Sequence, residues 1–131
     1  MKKLLLLASL FIGVNAFSQA PAPAQEVTPI KFEEVKHSFG QVPQSIPVTT
    51  SFTFKNTSDK PVIIENATAE CGCTTPEYPK TPILKGQTGV IKVTYNAANQ
   101  GKFTKNVHVK VAAVQQPVLL TIDGEVVPKK S

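Results

Sequence analysis

Cys71-Gly72-Cys73, followed by Thr74-Thr75-Pro76, sets two thiols within reach of each other and is the most reactive stretch of this chain. These are its only two cysteines, with a single residue between them. Three fates are open to such a pair. A disulfide would close a very small ring. Residues i and i+2 of an extended strand point the same way, with Cα atoms roughly 6.5–7 Å apart, whereas a bridge prefers about 5.5–6 Å. Gly72 lacks a Cβ and can bend the backbone to shorten that gap. So small a ring stabilises little and is easily reduced. Alternatively, two thiolates suit Cu(I) or Zn(II). Zinc asks for four ligands, and nothing in the sequence brings His37 or His108 to the cysteines. The third fate is a pair of ordinary thiols in a turn. Dedicated thiol exchangers present C-x-x-C at a helix N-terminus, and this motif sits among strand patterns instead. Cys71 and Cys73 therefore stand as a candidate disulfide or redox pair, with Gly72, Thr74 and Pro76 as the other motif residues.

The remaining reactive side chains form no recognisable constellation. His37 and His108 have no serine or acid at triad spacing. Glu33 and Glu34 are adjacent, so on a strand they face opposite ways and cannot act as a carboxylate pair. Asp59 (in SDKP) and Asp123 (in IDGE) read as turn residues that cap backbone amides. Asn56-Thr57-Ser58 and Asn66-Ala67-Thr68 match the glycosylation-acceptor pattern at close to chance frequency. Gly86 and Gly89 flank the start of a strand with no helix after it, so no glycine-rich loop cradles phosphate. No catalytic residue, cofactor or metal set is assigned, and the chain reads as non-enzymatic.

Lys2 and Lys3 followed by the apolar run Leu4 to Val14 read as a secretory signal. The run is too short for a bilayer span, which needs about 20 apolar residues. The expected signal covers residues 1–18, with cleavage after Ser18. No cysteine near the cut offers a lipid anchor, and no second run suggests a membrane span. The expected product is exported, periplasmic or secreted. Residues 19–28, rich in proline and alanine, read as a flexible spacer. Residues 29–127 form one domain, large enough to bury roughly 65% of its unfolded surface without a disulfide, and 128–131 form a tail. The net charge is +5, and every basic residue is lysine. Without the signal and tail lysines the domain is close to neutral. Bidentate recognition of bases or phosphates favours arginine, so nucleic acid is not an expected partner.

Within the domain the hydrophobic period is two. Ile30 to Val35 and His37 to Phe39 suggest a first strand with a break near Lys36. Val48, Thr50, Phe52 and Phe54 share one face of a second strand, the signature of a half-buried strand. Asn56 to Pro61 is a turn cluster, and a third strand begins at Val62-Ile63-Ile64. Ile91, Val93 and Tyr95 point inward on the next. Phe103, Val107, Val109 and Val111 line another, with Thr104, Asn106, His108 and Lys110 outside. Leu120, Ile122 and Val126 close the core. About seven short strands punctuated by glycine and proline predict an all-β, Ig-like antiparallel β-sandwich. There is no tryptophan, and no cysteine pair far enough apart to bridge two sheets.

The order Cys71-Gly72-Cys73-Thr74-Thr75-Pro76, Pro82-Ile83-Leu84-Lys85-Gly86 and Gly89-Val90-Ile91-Lys92-Val93-Thr94-Tyr95 resembles a family of exported bacterial proteins, domain of unknown function 1573. Gly101-Lys102-Phe103-Thr104-Lys105, Leu120-Thr121-Ile122-Asp123-Gly124 and the upstream His37-Ser38-Phe39-Gly40 extend the likeness over residues 30–127. Lys85 stands where relatives often carry proline. The resemblance implies a sandwich like Hydin-type and major-sperm-protein-type domains, which mostly serve as interaction modules. The family has no established catalytic residues to carry over. The expected function is binding of an unidentified protein or cell-envelope component, by strand addition at a sheet edge or through the cysteine loop. The rival is a thiol-redox or soft-metal-handling protein acting through Cys71 and Cys73.

Overall fold

In the computed structural model, which describes residues 28–130, the period-two segments become strands, and no helix occurs among the described residues. The expected signal (1–18) and nearly all of the spacer lie outside the described residues. The strands are β1 (Ile30–Phe32), β2 (Lys36–Pro43), β3 (Val48–Asn56), β4 (Ile64–Ala69), β5 (Thr74–Glu77), β6 (Thr88–Tyr95), β7 (Gly101–Val111) and β8 (Val118–Val127). They form two four-stranded sheets, β1-β3-β6-β5 and β2-β8-β7-β4. This is the all-β sandwich expected from the sequence, with eight strands in place of about seven.

The inward rows are those that alternation picked out. Phe52 and Phe54, Ile91 and Val93, Val107 and Val109, and Leu120 and Ile122 are all buried between the sheets. Tyr95 stacks on Phe103 with ring centroids 4.1 Å apart. Burial of each such side chain contributes roughly 1.5–3 kcal/mol, so the sandwich has a core independent of the cysteines.

Four details differ from expectation. The first strand is two strands in different sheets. Glu33 N–H still donates to Thr53 O (3.0 Å), while Val35 O accepts from Thr121 N–H (2.8 Å). The chain therefore changes sheets between Glu33 and Val35, and Lys36 starts β2 instead of marking a break. Second, β2 runs parallel to β8, so one pairing departs from the antiparallel plan. Third, a short strand, β5, follows the cysteine motif and pairs with β6. Fourth, Asp123 lies inside β8, not in a turn, opposite Thr104 of β7 and Ser38 of β2. Gly124 is mid-strand because the position of a Cβ is occupied: it would meet the Gly40 carbonyl at 2.8 Å and the Phe103 ring at 2.9 Å.

Candidate functional site

The cysteine motif is a crossover between sheets. β4 is an edge of one sheet and β5 an edge of the other, so residues 70–73 carry the chain across the side of the sandwich. Both ends are pinned. Glu70 N–H donates to Asn106 O of β7 (3.2 Å), and Asn96 N–H donates to Cys73 O (3.0 Å). Between them Thr74 N–H donates to Cys71 O (3.4 Å), which closes a turn over Cys71-Gly72-Cys73-Thr74.

The two sulfurs are joined as a disulfide, with Cα atoms 5.3 Å apart. Extended-strand spacing would have been too long, and the turn is what shortens it. The role expected of Gly72 needs correction. Its φ lies outside the left-handed region, and a Cβ there would meet nothing within 4 Å. The turn accommodates any small residue. Gly72→Ala is therefore expected to keep the disulfide and to shift stability by less than about 1 kcal/mol, checked by thiol titration of native protein and by urea unfolding.

Thr74 is buried, and its Oγ1 lies 3.7 Å from each sulfur, underneath the bridge. Pro76 lies two residues further on, in β5 opposite Val93. The structure thus gathers Cys71, Gly72, Cys73 and Thr74 into one turn and leaves Pro76 on the adjoining edge.

Beside the turn lies a polar cluster that sequence reading did not assemble. Glu70 Oε1 is 3.0 Å from His108 Nε2, and Asn106 Nδ2 donates to both Glu70 oxygens at 3.3 and 3.2 Å. Asn106 Oδ1 in turn accepts from Thr121 Oγ1 (2.9 Å). The bonded partners are 15 to 38 positions apart, and only strand register could have revealed them. Hydrogen bonding from His108, then from Asn106, holds the Glu70 carboxyl below the usual glutamate range. A depressed carboxylate stabilises the fold above its unfolded pKa, and that contribution disappears as pH falls through the lower folded value. His108→Ala removes the largest cause, so the Glu70 titration is expected to move up toward 4.5, the ordinary value. NMR titration of the Glu70 carboxyl carbon checks this, and an unchanged midpoint would show the contact to be idle.

Asp123 is likewise held low, first by a hydrogen bond from Ser38, then by one from Lys36. His37 is 3.5 Å from Glu34 and makes an edge contact with Phe39. β8 separates the strands of the two histidines. Among the described residues no three histidine, cysteine, aspartate or glutamate side chains are placed to hold a metal ion. Nor could Asn56 accept a glycan, since its side chain is fully buried.

The sheet edges are blunted. In β5 the Cys73–Asn96 bond fixes the alternation, so Thr75 and Glu77 turn their backbone groups toward β6 while Thr74 and Pro76 turn outward. Pro76 has no N–H, and that of Thr74 is used within the turn. β1 is three residues long, and Ile30 O accepts from Thr28 Oγ1 (3.1 Å). β2 is broken by a bulge between Ser38 and Gln41 and ends in Pro43. β4 is irregular between Ile64 and Asn66, and Tyr78 Oη donates to Glu65 O (3.4 Å). Such devices protect sheet edges against added strands, so strand addition loses ground as a binding mode.

Residues 30–126 match the model of a family described as a protein of unknown function, DUF1573. No curated protein matches the chain. Among solved structures it is similar to a protein of unknown function from Porphyromonas gingivalis W83, with a TM-score of 0.64 and 10% identity over 74% of this chain. The chain spans only 46% of that protein. It is also similar to the ASH/PapD-like domain 7 of human CEP192, with a TM-score of 0.66 and 7% identity over 86% of this chain and 94% of that one. The YadV chaperone follows with a TM-score of 0.51 and 14% identity over 79% and 55%. At such identities the likeness establishes the Ig-like, PapD-like sandwich fold alone. No helix among the described residues is long and apolar enough to cross a membrane.

Proposed function

The chain belongs to the DUF1573 family, whose model covers well over half of it, and on that premise we propose that it is an exported, non-enzymatic binding module. Its partner is a protein or cell-envelope component, engaged by the outer face of a sheet. The observation that carries this reading is the contrast between edges and faces: each of the four edge strands bears a device against pairing, whereas the outer faces of both sheets are open. The Lys2–Lys3 and Leu4–Val14 pattern supports export. Likeness to a chaperone fold supports binding by analogy only.

The thiol-handling rival is separated by one set of variants. Tagged mature protein is cross-linked to envelope fractions as wild type, as Cys71→Ser/Cys73→Ser, and as single Cys73→Ser. Retention independent of both cysteines is the expected result. A mixed disulfide trapped by the single variant, or loss of capture in the double variant, would favour the rival. Cleavage is expected to leave Gln19 at the N-terminus, read from the intact mass of exported protein.

A further inference from the structure

We infer that the outer face of the β1-β3-β6-β5 sheet binds an extended anionic glycan, seated first on Lys31 and Lys55. The inference rests on the binding-module reading and names the partner's chemistry. Lys31 and Lys55 are directly opposite each other in register, and both are exposed. Like charges directly opposite on adjacent strands destabilise a sheet, yet neither lysine has an ion-pair partner among the described residues. Glu33, next along the same edge, pairs with neither. The two lysines line a shallow recess of about 200 Å³ together with Thr53, Thr57 and Thr88, and with Glu33 as its one carboxylate. Hydroxyls beside ammonium groups suit the oxygens of a sulfate, phosphate or carboxylate.

The charge pattern continues across the face. Lys92 is exposed opposite Ser51 of β3 and Glu77 of β5, without an ion pair. Ser51 and Lys55 are four positions apart on β3, so the two positive sites are about 13 Å apart along the strands. Between them Thr53 stands opposite the exposed Val90, and beyond Ser51 lies the Thr49–Thr94 hydroxyl pair at 2.9 Å. The other sheet differs. There Lys36 pairs with Asp123 at 3.1 Å, His108 pairs with Glu70, and Lys110 Nζ donates to Val114 O. Lys102 and Lys105 of that sheet also lack ion pairs among the described residues, but no lysine there stands opposite another, so the facing like-charge pair is confined to the β1-β3 side.

Three features favour a glycan over other polyanions. Lysine is depleted and aromatic side chains are enriched at protein interfaces, and the one large exposed apolar residue on this face is Val90. Nucleic-acid recognition leans on arginine forks, and the chain has no arginine. A flat face suits an extended polymer whose charges repeat along its length.

The test measures binding of dextran sulfate, polygalacturonate, neutral dextran and phosphatidylglycerol vesicles to the mature protein at low and moderate salt. Lys31→Gln/Lys55→Gln is compared with Lys129→Gln/Lys130→Gln, which removes equal charge from the tail. The expected result is salt-sensitive binding of at least one anionic polymer, weakened about tenfold or more by Lys31→Gln/Lys55→Gln and little by the tail variant. Relief of repulsion should leave the Lys31→Gln/Lys55→Gln melting midpoint unchanged or raised by about 1–3 °C. Equal weakening in both variants, equal binding to neutral dextran, binding to vesicles alone, or no binding would each overturn the inference. Envelope capture that survives Lys31→Gln/Lys55→Gln would sink the glycan face while leaving the binding-module reading intact.

Discussion

Asn56→Asp is expected to cost at least as much stability as Asn56→Ala, which itself costs about 2–4 kcal/mol, although aspartate keeps the shape of the side chain. Asn56 ends β3 and is 0% exposed. Its Nδ2 donates to Lys60 O (2.7 Å) and Ile83 O (2.8 Å), and its Oδ1 accepts from Ser58 N–H (2.9 Å) and Ser58 Oγ (2.7 Å). The backbone joins in: Asn56 N–H donates to Gln87 O, and Asn56 O accepts from Gly86 N–H. One residue therefore ties the 57–60 turn to the 83–87 segment that leads into β6. Alanine leaves these groups without their partner, at about 1–3 kcal/mol for each left buried and unsatisfied. Aspartate is worse at neutral pH, because it turns a carboxylate oxygen toward two carbonyls and buries the charge.

The pH dependence separates the two variants. Burial against carbonyls raises the pKa of the introduced carboxyl. Its protonated form can donate one hydrogen bond, so the aspartate variant is least impaired at low pH and loses stability as pH rises through the raised value. Urea unfolding of both variants and wild type at pH 4 and pH 7, compared as differences from wild type, checks this. An aspartate variant as stable as wild type at pH 7 would mean that water, not Lys60 and Ile83, satisfies the Asn56 amide.

Asn56 also shows where the sequence stops being legible. NTSDKP reads correctly as a turn, but a turn asparagine at the surface and one buried as a six-bond hub have the same sequence signature. The inward rows of β3, β6, β7 and β8 could be read because alternation survives there, with apolar rows interrupted by a polar residue only at Thr50 and Lys105. β5 could not. Thr74-Thr75-Pro76-Glu77 contains no large apolar residue, and it is a strand only because β6 offers a register for it. The division of the first strand was hidden for a similar reason: Ile30 to Phe39 keeps a strand-like pattern through Glu33–Val35 while the chain changes sheets.

The site follows the same rule. Proximity along the chain made the cysteine pair legible, and the turn that closes it was not, since spacing alone suggested an extended strand that glycine must bend. Glu70 was invisible as a partner of His108 and Asn106 because its neighbours come from a strand more than thirty residues away. Lys31 and Lys55 read singly as solvated lysines, and become a feature only when register sets them face to face. Long-range pairing, not composition, carries the surface chemistry of this sandwich.

Gly89→Ala should be the most damaging single-methyl change in the domain, at about 2–4 kcal/mol. Gly89 lies in β6 opposite Phe54, and the Phe54 ring fills the space where a side chain would stand. An added Cβ would overlap Phe54 Cζ and lie 2.9 and 3.0 Å from Cε1 and Cε2. The ring has little room to yield. Phe54 is completely buried, and Phe32 leans on it at 5.4 Å between centroids, tilted by 52°. Relief requires an off-rotamer ring, at about 0.5–1.5 kcal/mol, or separation of β3 from β6 along their longest shared register. Phe54→Leu alone shortens the ring's reach and costs its own cavity and burial, about 1–3 kcal/mol. Combined with Gly89→Ala, however, it frees the space that the new methyl needs. The double variant should therefore be at least about 1 kcal/mol more stable than the sum of the single losses predicts, the coupling expected of residues in direct contact. Chemical denaturation of the four proteins measures the cycle. Strict additivity would show that the strand, not the ring, absorbs the methyl group, and would detach Gly89 from Phe54 in the packing of this core.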